Sequence, residues 1–530
     1  MYRFLYLILL LGLSLINYSQ SLNSQIFKLS KVLGYIDIFY VDTVNTEKLV
    51  EVAIDGMVKE LDPHSSYLKK DEVKEMNEPL QGGFEGIGIQ FNVIYDTIYV
   101  INPISGGPSE KVGIMAGDRI IKIEDENVAG IGITTKQVRD NLMGPKGTKV
   151  KVGIKRRNVN KILDFTITRD KIPIYSMDAS YMINDSIGYV KLNQFSLTTI
   201  DEFYEALNKF KKSNFKHLVL DLRNNGGGYL QVAFQLADEF LEKDKIIVYT
   251  KGLNSPRREY ISTTDGRFEE GRLVILLNEG SASASEIVSG AVQDWDRGII
   301  IGRRSFGKGL VQKPFNLPDG SMLKLTVAKY YTPTGRLIQK PYENGEKQEY
   351  AKDIINRYNN GELVNEDSIH FPDSLKYTTL VNQRIVYGGG GIMPDYFIPL
   401  DTTSSSEYYR KIIRQGIFNR YILDYVDNNR KSLTKKYSSF EKFNNEFFAN
   451  DDMLEGLIEF AEKKDNLEFN DEDFEDDREE VKLLIKAYIA RDLWSSSEFF
   501  EIYNTTDEGY LKALNFIISS NKYNQLVGKK

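Results

Sequence analysis

The strongest constraint on the fold is a series of short apolar segments that alternate with helical patterns from residue 187 to residue 302. The segments are IGYVKLNQF (187–195), HLVLDL (217–222), KIIVYT (245–250), RLVILL (272–277) and GIIIG (298–302). Strands of this kind that alternate with helices form largely parallel sheets, which are buried on both faces. The alternation therefore predicts an α/β fold for this part of the chain.

Length and composition limit the remaining possibilities. A chain of 530 residues is too long for one hydrophobic core and predicts roughly three or four domains. Its composition, 41% hydrophobic and 27% charged, is that of a globular protein. A net charge of −7 gives no electrostatic reason to expect nucleic acid as a partner. The absence of cysteine excludes a thiol nucleophile, disulfides and thiolate metal sites.

The N-terminus, MYRFLYLILLLGLSLINYSQ, has the pattern of a secretory signal peptide. Arg3 precedes an apolar stretch over 4–16, which is shorter than the about 20 residues that span a bilayer. We predict a signal peptide over 1–19, with cleavage near Ser19–Gln20. The mature chain is then expected to be periplasmic or extracytoplasmic. An uncleaved membrane anchor is the weaker alternative.

Changes in pattern predict four further regions. Residues 20–82 have helical spacing, residues 83–170 form a compact, mainly β unit, and residues 171–400 carry the α/β alternation. The region 401–530 is predicted to be helical and highly charged. Its acidic run at 470–480 lacks the glycine spacing of a calcium loop, so we expect a solvated loop or helix face and not a metal site.

Three serines occupy alternate positions just after the apolar run 273–277, in the stretch NEGSASASEIVSG. Ser283 and Glu286 have the spacing of a capping box, in which each side chain binds the other's backbone N–H. A helix N-terminus also supplies partial positive charge, and the Ala284 N–H could face a developing oxyanion. From this stretch alone, Ser283 could be either a helix cap or a catalytic nucleophile.

Histidine is scarce, which narrows the chemistry that a serine nucleophile could use. The chain has only His64, His217 and His370. His217 begins its predicted strand, whereas the sites of parallel α/β sheets gather at the carboxyl ends of the strands. The other two lie outside the α/β alternation. A Ser-His-Asp triad and a histidine-rich zinc site are therefore disfavoured.

Lys308 is the candidate base that remains. It follows the strand at 298–302, and Ser283 follows the preceding strand at 272–277, so that one strand–helix–strand crossover separates them. Paired parallel strands end at the same edge of a sheet, about 4.8 Å apart. We therefore expect the two side chains to meet. A lysine must be neutral to accept a proton, and apolar surroundings favour the neutral amine.

Seven short stretches occur in a fixed order along about residues 30–400. They are LDPHSSYL, the block GIGIQF…GPSEKVGIMAGDRIIKIE…GPKGTKV, DLRNNGGG, GSASASEI, FGKGLVQ, YYTPTGRLIQ and GIMPD. Together they resemble the C-terminal processing (tail-specific) serine peptidases of the S41 type. The resemblance implies a multidomain α/β protein, with a crotonase/ClpP-like α/β protease core, an inserted mainly-β PDZ-like domain and a helical C-terminal region.

The resemblance also implies roles for individual residues. Ser283, the middle serine, corresponds to the nucleophile, Lys308 to the general base and Gln312 to the side chain that orients this lysine. The nucleophile is thereby favoured over a simple cap, and the two are compatible. The oxyanion hole is implied to consist of backbone amides, those of Ala284 and of Gly227 or Gly228.

The stretch GIGI resembles the carboxylate-binding loop of PDZ domains. Such domains add a peptide strand to a sheet edge and hold its terminal carboxylate against backbone amides. The residues implied in peptide binding are Gly86, Ile87, Gly88 and Ile89. Relatives commonly have an arginine just before the Gly-Pro-Lys-Gly turn, where this chain has Met143. If that arginine senses substrate in relatives, this chain senses substrate in another way or not at all.

These features predict an exported serine endopeptidase that binds C-terminal tails through its PDZ-like domain and cleaves proteins with a Ser-Lys pair. Its expected partners are unfolded or precursor proteins with apolar tails, and not nucleic acid. No cofactor or metal is expected, and an adaptor protein and a homo-oligomer are left open. Three alternatives are a catalytically silent tail-binding scaffold, a crotonase-type acyl-CoA enzyme and a non-enzymatic binding protein of related fold. The insertion at 341–387 has no assigned role.

Overall fold

A computed structural model describes the following residues: 22–104, 106–157, 159–263, 266–402, 406–469 and 474–528. The predicted signal peptide and its cleavage site lie outside them. Within these ranges, no helix combines the length and the apolar composition needed to cross a membrane. The chain divides into two units, and 22–69, 314–325 and 342–350 are the described residues of the smaller one.

The smaller unit combines helix and strand. Its helix Thr46–Lys59 begins at Asn45, whose side chain accepts a hydrogen bond from the Lys48 amide (2.9 Å). The strand Ser66–Leu68 pairs antiparallel with residues 322–324. His64, one of the three histidines, is within hydrogen-bond distance of the Tyr350 hydroxyl (Nε2 to Oη, 2.9 Å).

A six-stranded sheet forms the centre of the larger unit. In spatial order its strands are Met177–Met182, Ile187–Leu192, His217–Asp221, Leu273–Leu277, Ile299–Gly302 and Tyr396–Phe397. The first pair is antiparallel, and each later pair is parallel. Four of the five apolar segments in the sequence thus lie side by side. Leu277 pairs with Gly302, so the two strands end at the same edge.

Helices cover both faces of this sheet. Alternate strand residues, such as Leu220 and Ile275, pack against the helices Thr199–Phe210, Leu230–Asp238 and Ala284–Asp294. The residues between them, such as Val219 and Val274, pack against the helices Glu508–Ile518 and Ser520–Val527. The helices Glu508–Ile518 and Ser520–Val527 therefore bury the second face of the sheet that the α/β region forms.

One apolar segment does not join the central sheet. The strand Ile246–Gly252 pairs antiparallel with Ser255–Ile261 and with residues 329–331 at the end of the strand Met322–Tyr331. Its burial is interrupted at Tyr249 and Lys251, whereas every residue of Leu273–Leu277 is buried. A central parallel strand needs apolar contacts on both faces, so the prediction of a parallel strand is wrong for this segment.

Residues 83–173 contain the mainly β unit. The strands of its larger sheet are Ile89–Ile94, Thr97–Pro103, Arg119–Ile123, Glu126–Asn127, Lys149–Lys155 and Leu163–Thr168. Gly83–Gly86 and Asp170–Pro173 pair with each other. The helix Thr135–Leu142 begins with a capping box between Thr134 and Gln137. Ile89–Ile94 lies at one end of the strand order, so its outer edge has no partner among the described strands.

After residue 406 the described chain is helical. The helices that pack around one apolar core are Glu407–Arg414, Ile417–Lys436, Phe440–Glu446, Asp451–Asp465, Arg478–Leu493 and Ser496–Tyr503. Within the acidic run, Asp477 is buried and accepts a hydrogen bond from the Ser406 amide (2.9 Å). The prediction of a solvated run is therefore wrong at Asp477, where the Ser406 amide, 71 positions away in the sequence, binds one oxygen of a buried carboxylate. Residues 470–473 of the run lie outside the described residues.

Candidate active site

Ser283 lies at the junction between a buried strand and a helix. The strand Leu273–Leu277 ends at the sheet edge, and the helix Ala284–Asp294 begins immediately after Ser283. Ser283 has φ 56° and ψ −108°, a backbone conformation that residues other than glycine rarely adopt. Such strain persists only where surrounding contacts impose it, and it is common at functional sites.

The three serines of the turn have different surroundings. The Ser281 hydroxyl is buried and donates to the Leu222 carbonyl (2.8 Å). The Ser285 hydroxyl is also buried and donates to the Asn225 carbonyl (2.9 Å). Ser283 alone among them is half-buried. The outer two serines therefore tie the turn to the neighbouring loop, and Ser283 is the one that a substrate could reach.

Glu286 is the central acceptor of the site. Its fully buried carboxylate accepts hydrogen bonds from the Ser283 amide (2.7 Å), the Lys308 amide (2.9 Å), the Gly307 amide (2.7 Å) and the Ser305 hydroxyl (2.6 Å). The Ser283 and Lys308 amides donate to the same oxygen, Oε2. Burial raises the pKa of Glu286, and the four donors act in the opposite direction. One carboxylate thus holds both predicted catalytic residues by their backbones.

The capping box explains only part of this arrangement. The sequence predicted the bond from the Glu286 side chain to the Ser283 amide, and that bond is present. The Glu286 amide itself donates to the Ser283 carbonyl (2.9 Å). The bonds to the loop of residues 303–309, here called the base loop, were missed, because they join residues about twenty positions apart.

Tyr330 holds the same two residues from their carbonyl side. Its buried hydroxyl donates to the Lys308 carbonyl (2.5 Å) and lies 3.1 Å from the Ser283 carbonyl. The Lys308 side-chain nitrogen Nζ lies 3.2 Å from Gln312 Oε1, the side chain that the resemblance implies to orient this lysine. Sequence reasoning missed Tyr330, although it belongs to the matching stretch YYTPTGRLIQ.

The loop of residues 222–228 lies against Ser283. It is here called the oxyanion loop, after the role that the resemblance implies for its glycines. A Cβ atom added to Gly227 would come within 2.9 Å of the Ser283 Cβ and 3.0 Å of the Ala284 nitrogen. The Gly227 amide donates to Asn225 Oδ1 (2.9 Å). In the part of the chain that the structure describes, no residue accepts a hydrogen bond from the amide of Gly228 or Ala284.

The histidines have other surroundings. His217 lies at the amino end of its strand, where its Nδ1 accepts a hydrogen bond from the Arg272 amide (3.1 Å). Burial and the neighbouring Arg272 lower the pKa of His217. His370 is exposed. Among the described residues there is no cluster of His, Asp and Glu side chains that could hold a metal ion.

A second candidate site is an apolar cavity of about 180 Å³ in the β unit. It lies between the edge strand Ile89–Ile94 and the end of the helix Thr135–Leu142. The apolar side chains among its lining residues include Phe84, Ile87, Ile89, Phe91, Leu142 and Met143. Gly88 also lines it, so that three of the four GIGI residues border the cavity and Gly86 directly precedes them.

Family models match four parts of the chain. Residues 186–345 match peptidase family S41, and residues 86–167 match a PDZ domain. Residues 15–72 match the N-terminal domain of the activating protease CtpB. Residues 408–495 match a family of unknown function.

Individual relatives agree with these matches. A carboxy-terminal-processing protease of Bartonella bacilliformis is 37% identical over 61% of this chain and 74% of that protein. The carboxy-terminal processing protease CtpA of Bacillus subtilis is 36% identical over 62% of this chain and 71% of that protein. A photosystem II D1 C-terminal processing protease of known structure is 28% identical over 58% of this chain and 82% of that chain, with a TM-score of 0.33. The chain therefore belongs to peptidase family S41, the carboxy-terminal processing proteases, and contains a PDZ domain.

Proposed function

We propose that this protein is an exported serine endopeptidase that selects proteins by their C-terminal tails and cleaves them with a Ser283–Lys308 pair. The observation that carries the proposal is the shared acceptor: the amides of both residues donate to one oxygen of Glu286. Tyr330 bonds the Lys308 carbonyl and lies near that of Ser283. The two residues are therefore held close together by their backbones.

In the proposed reaction, the neutral Lys308 amine takes the proton from the Ser283 hydroxyl as the oxygen attacks the substrate carbonyl carbon. The resulting lysine ammonium then gives that proton to the leaving amine, which breaks the peptide bond and leaves an acyl-enzyme. Water attacks the ester with Lys308 again as base, releasing the acid and restoring Ser283. Gln312 holds the amine in position through the contact between its Oε1 and the lysine Nζ.

The negative charge that develops on the carbonyl oxygen needs preorganised donors. We assign the Ala284 amide, at the helix N-terminus, as one donor. Of the two glycines implied by the resemblance, Gly228 is the better second donor, because the Gly227 amide is already bound to Asn225. Gly227 contributes by its lack of a side chain, which leaves room beside Ser283.

We further propose that residues 83–170 are the domain that selects the substrate. The outer edge of Ile89–Ile94 would accept the tail as an added strand, and the amides of the GIGI residues would hold its carboxylate. The apolar cavity beside them would take the last side chain. The expected substrates are unfolded or precursor proteins with apolar tails. Residues 171–400 form the proposed protease core, and residues 1–19 the proposed export signal.

The test uses the mature chain, from Gln20, with an unfolded reporter protein that ends in an apolar tail. We expect the parent protein to cleave the reporter and Ser283→Ala to lose cleavage, since the nucleophile is removed. Ser285→Ala is the matched control, because it removes one hydroxyl from the same helix and should retain substantial activity. Proteolysis that persists in Ser283→Ala would contradict the proposal. Thioester hydrolysis without proteolysis would favour the acyl-CoA alternative.

A further inference from the structure

An ion-pair network joins the oxyanion loop to the C-terminal helices. Arg223, within the loop, binds Asp221 through Nε (3.1 Å) and Nη2 (2.7 Å). Its Nη1 lies 2.9 and 2.8 Å from the two carboxylate oxygens of Asp507. Asp507 precedes the helix Glu508–Ile518 and accepts a hydrogen bond from the Tyr510 amide (2.7 Å). One guanidinium thus connects the end of a core strand with the start of a helix 284 positions away.

The charges in this network are poorly exposed to solvent. Asp221 is fully buried, and the side chains of Arg223 and Asp507 are 21% and 16% exposed. Burial alone would raise the pKa of Asp221, but Arg223 and Lys191 together lower it. Removing one member of a buried ion-pair network leaves its partners uncompensated, which is costly.

Arg223 is followed directly by the residues that shape the oxyanion loop. The Asn224 amide donates to Asn278 Oδ1 and the Asn278 side-chain amide donates to Asn224 Oδ1, each at 2.8 Å. The Asn225 side chain in turn binds the Gly227 amide. The direction in which Arg223 leaves its strand therefore affects where the Gly228 amide points, three peptide bonds beyond Asn225.

We propose that Asp507 is a positioning residue for catalysis, which holds Arg223 and thereby keeps the oxyanion loop in the shape that binds the transition state. The inference rests on the proposed function, because it takes the loop to be an oxyanion donor. It gives the C-terminal extension a part in the chemistry in addition to covering the core sheet. Asp507 is thus expected to affect stabilisation of the transition state and not the affinity for the substrate tail.

The main variant is Asp507→Asn, which removes the charge but keeps a good helix N-cap. We expect kcat on a tailed substrate to fall about tenfold, as for the partial loss of an oxyanion donor, with KM unchanged. Asp507→Glu, which restores the charge, should recover part of kcat. Glu508→Gln is the matched control: it removes an exposed carboxylate one position along and should have parental kcat.

Two further measurements separate positioning from a general loss of structure. Binding of a tail peptide to each variant should be unchanged, whereas the affinity of a peptide boronic acid, which mimics the tetrahedral intermediate, should fall with kcat. Parental kcat in Asp507→Asn would overturn the proposal, as would equal losses in Asp507→Asn and Asp507→Glu. A loss of tail binding and boronate affinity together would also overturn it. If Ser283→Ala still cleaves the reporter, the proposed function itself fails, and this outcome is distinct from the others.

Discussion

The nucleophile turn shows how a buried carboxylate can impose an unfavourable backbone conformation. Ser283 has a positive φ. Its amide donates to Glu286, its carbonyl lies 3.1 Å from the Tyr330 hydroxyl, and the amide of the preceding Ala282 donates to the Asn225 carbonyl in the oxyanion loop. A conformation of this kind costs on the order of 1–3 kcal/mol. The buried carboxylate of Glu286 is stable because four donors surround it. The strain at Ser283 is thus maintained by contacts that also hold Lys308.

The first residue-scale prediction concerns Lys308. Arginine keeps its charge in proteins and cannot accept a proton from serine. Lys308→Arg is therefore expected to be as inactive as Lys308→Ala, with peptidase activity measured on the apolar-tailed reporter. In the parent protein, kcat/KM should rise with pH as the amine loses its proton. An active arginine variant would rule out Lys308 as the base.

The second residue-scale prediction concerns two adjacent glycines. Gly227→Ala would place a Cβ 2.9 Å from the Ser283 Cβ, at a φ of 104° that alanine rarely adopts. We expect it to lower kcat at least 100-fold by displacing the nucleophile. Gly226→Ala is the matched control, because an added Cβ there meets no atom within 4 Å. Equal activities of the two variants would show that the contact with Ser283 does not matter.

At the scale of elements, the sequence predicts strands and their pairing across one crossover better than contacts between residues that are distant in the sequence. The strands 273–277 and 299–302 could be paired in advance, because one crossover connects them, and this pairing brings Ser283 and Lys308 to one sheet edge. The contacts of Tyr330 and Asp507 could not be predicted, since they join residues 47 and 284 positions apart. Nothing in the pattern of an amphipathic helix specifies which surface it covers.

The insertion at 341–387 is another element whose contacts were not predictable. Its Arg357 is buried and donates to the carbonyls of Arg304 (2.7 Å) and Ser305 (3.1 Å), at the start of the base loop. Glu362 accepts hydrogen bonds from both Arg304 and Arg357. This part of the insertion therefore supports the loop that presents Lys308, although its sequence appeared only polar.

The element-scale prediction concerns the edge strand and its apolar cavity. Amidating the tail of the reporter removes the carboxylate that backbone amides would bind, and ending the tail in Asp would place a charge in the cavity. Desolvating a carboxylate costs several kcal/mol, and Arg139 of the cavity lining already faces Glu78 (4.0 Å), so we expect the Asp tail to be at least as damaging as amidation. Each change should lower kcat/KM about tenfold or more. Equal rates for free, amidated and Asp-ended tails would remove this cavity from substrate selection.

At the scale of the whole molecule, the C-terminal helices are part of both a core and an electrostatic network. The helix Ser496–Tyr503 packs beside the strand Met177–Met182, and the two helices after it cover one face of the central sheet.

Glu501 lies in the helix Ser496–Tyr503. Burial, and then the neighbouring Glu498, raise the pKa of Glu501 to about 7. This value is above the ordinary pKa of 4.5.

The corresponding prediction concerns the pH dependence of stability. Between pH 4.5 and 7 the folded chain holds a proton on Glu501 that the unfolded chain has lost, so stability falls as pH rises through this window. Glu501→Gln should therefore be more stable than the parent at pH 8, by about 1 kcal/mol after allowing for solvent screening. The difference should shrink below pH 4.5. Thermal unfolding at both pH values measures it, with Glu508→Gln as control, and parallel pH profiles would contradict the prediction.

The helices Glu508–Ile518 and Ser520–Val527, which cover the second face of the central sheet, also determine when this sheet can finish folding during synthesis. The last strand of that sheet is Tyr396–Phe397, but the helices that cover it begin only at Glu508. A chain that has emerged only as far as the strand would expose Val219, Val274 and their neighbours to water, a state prone to bind chaperones or to aggregate. Folding of this core must therefore wait until the helices from Glu508 onward have been synthesised.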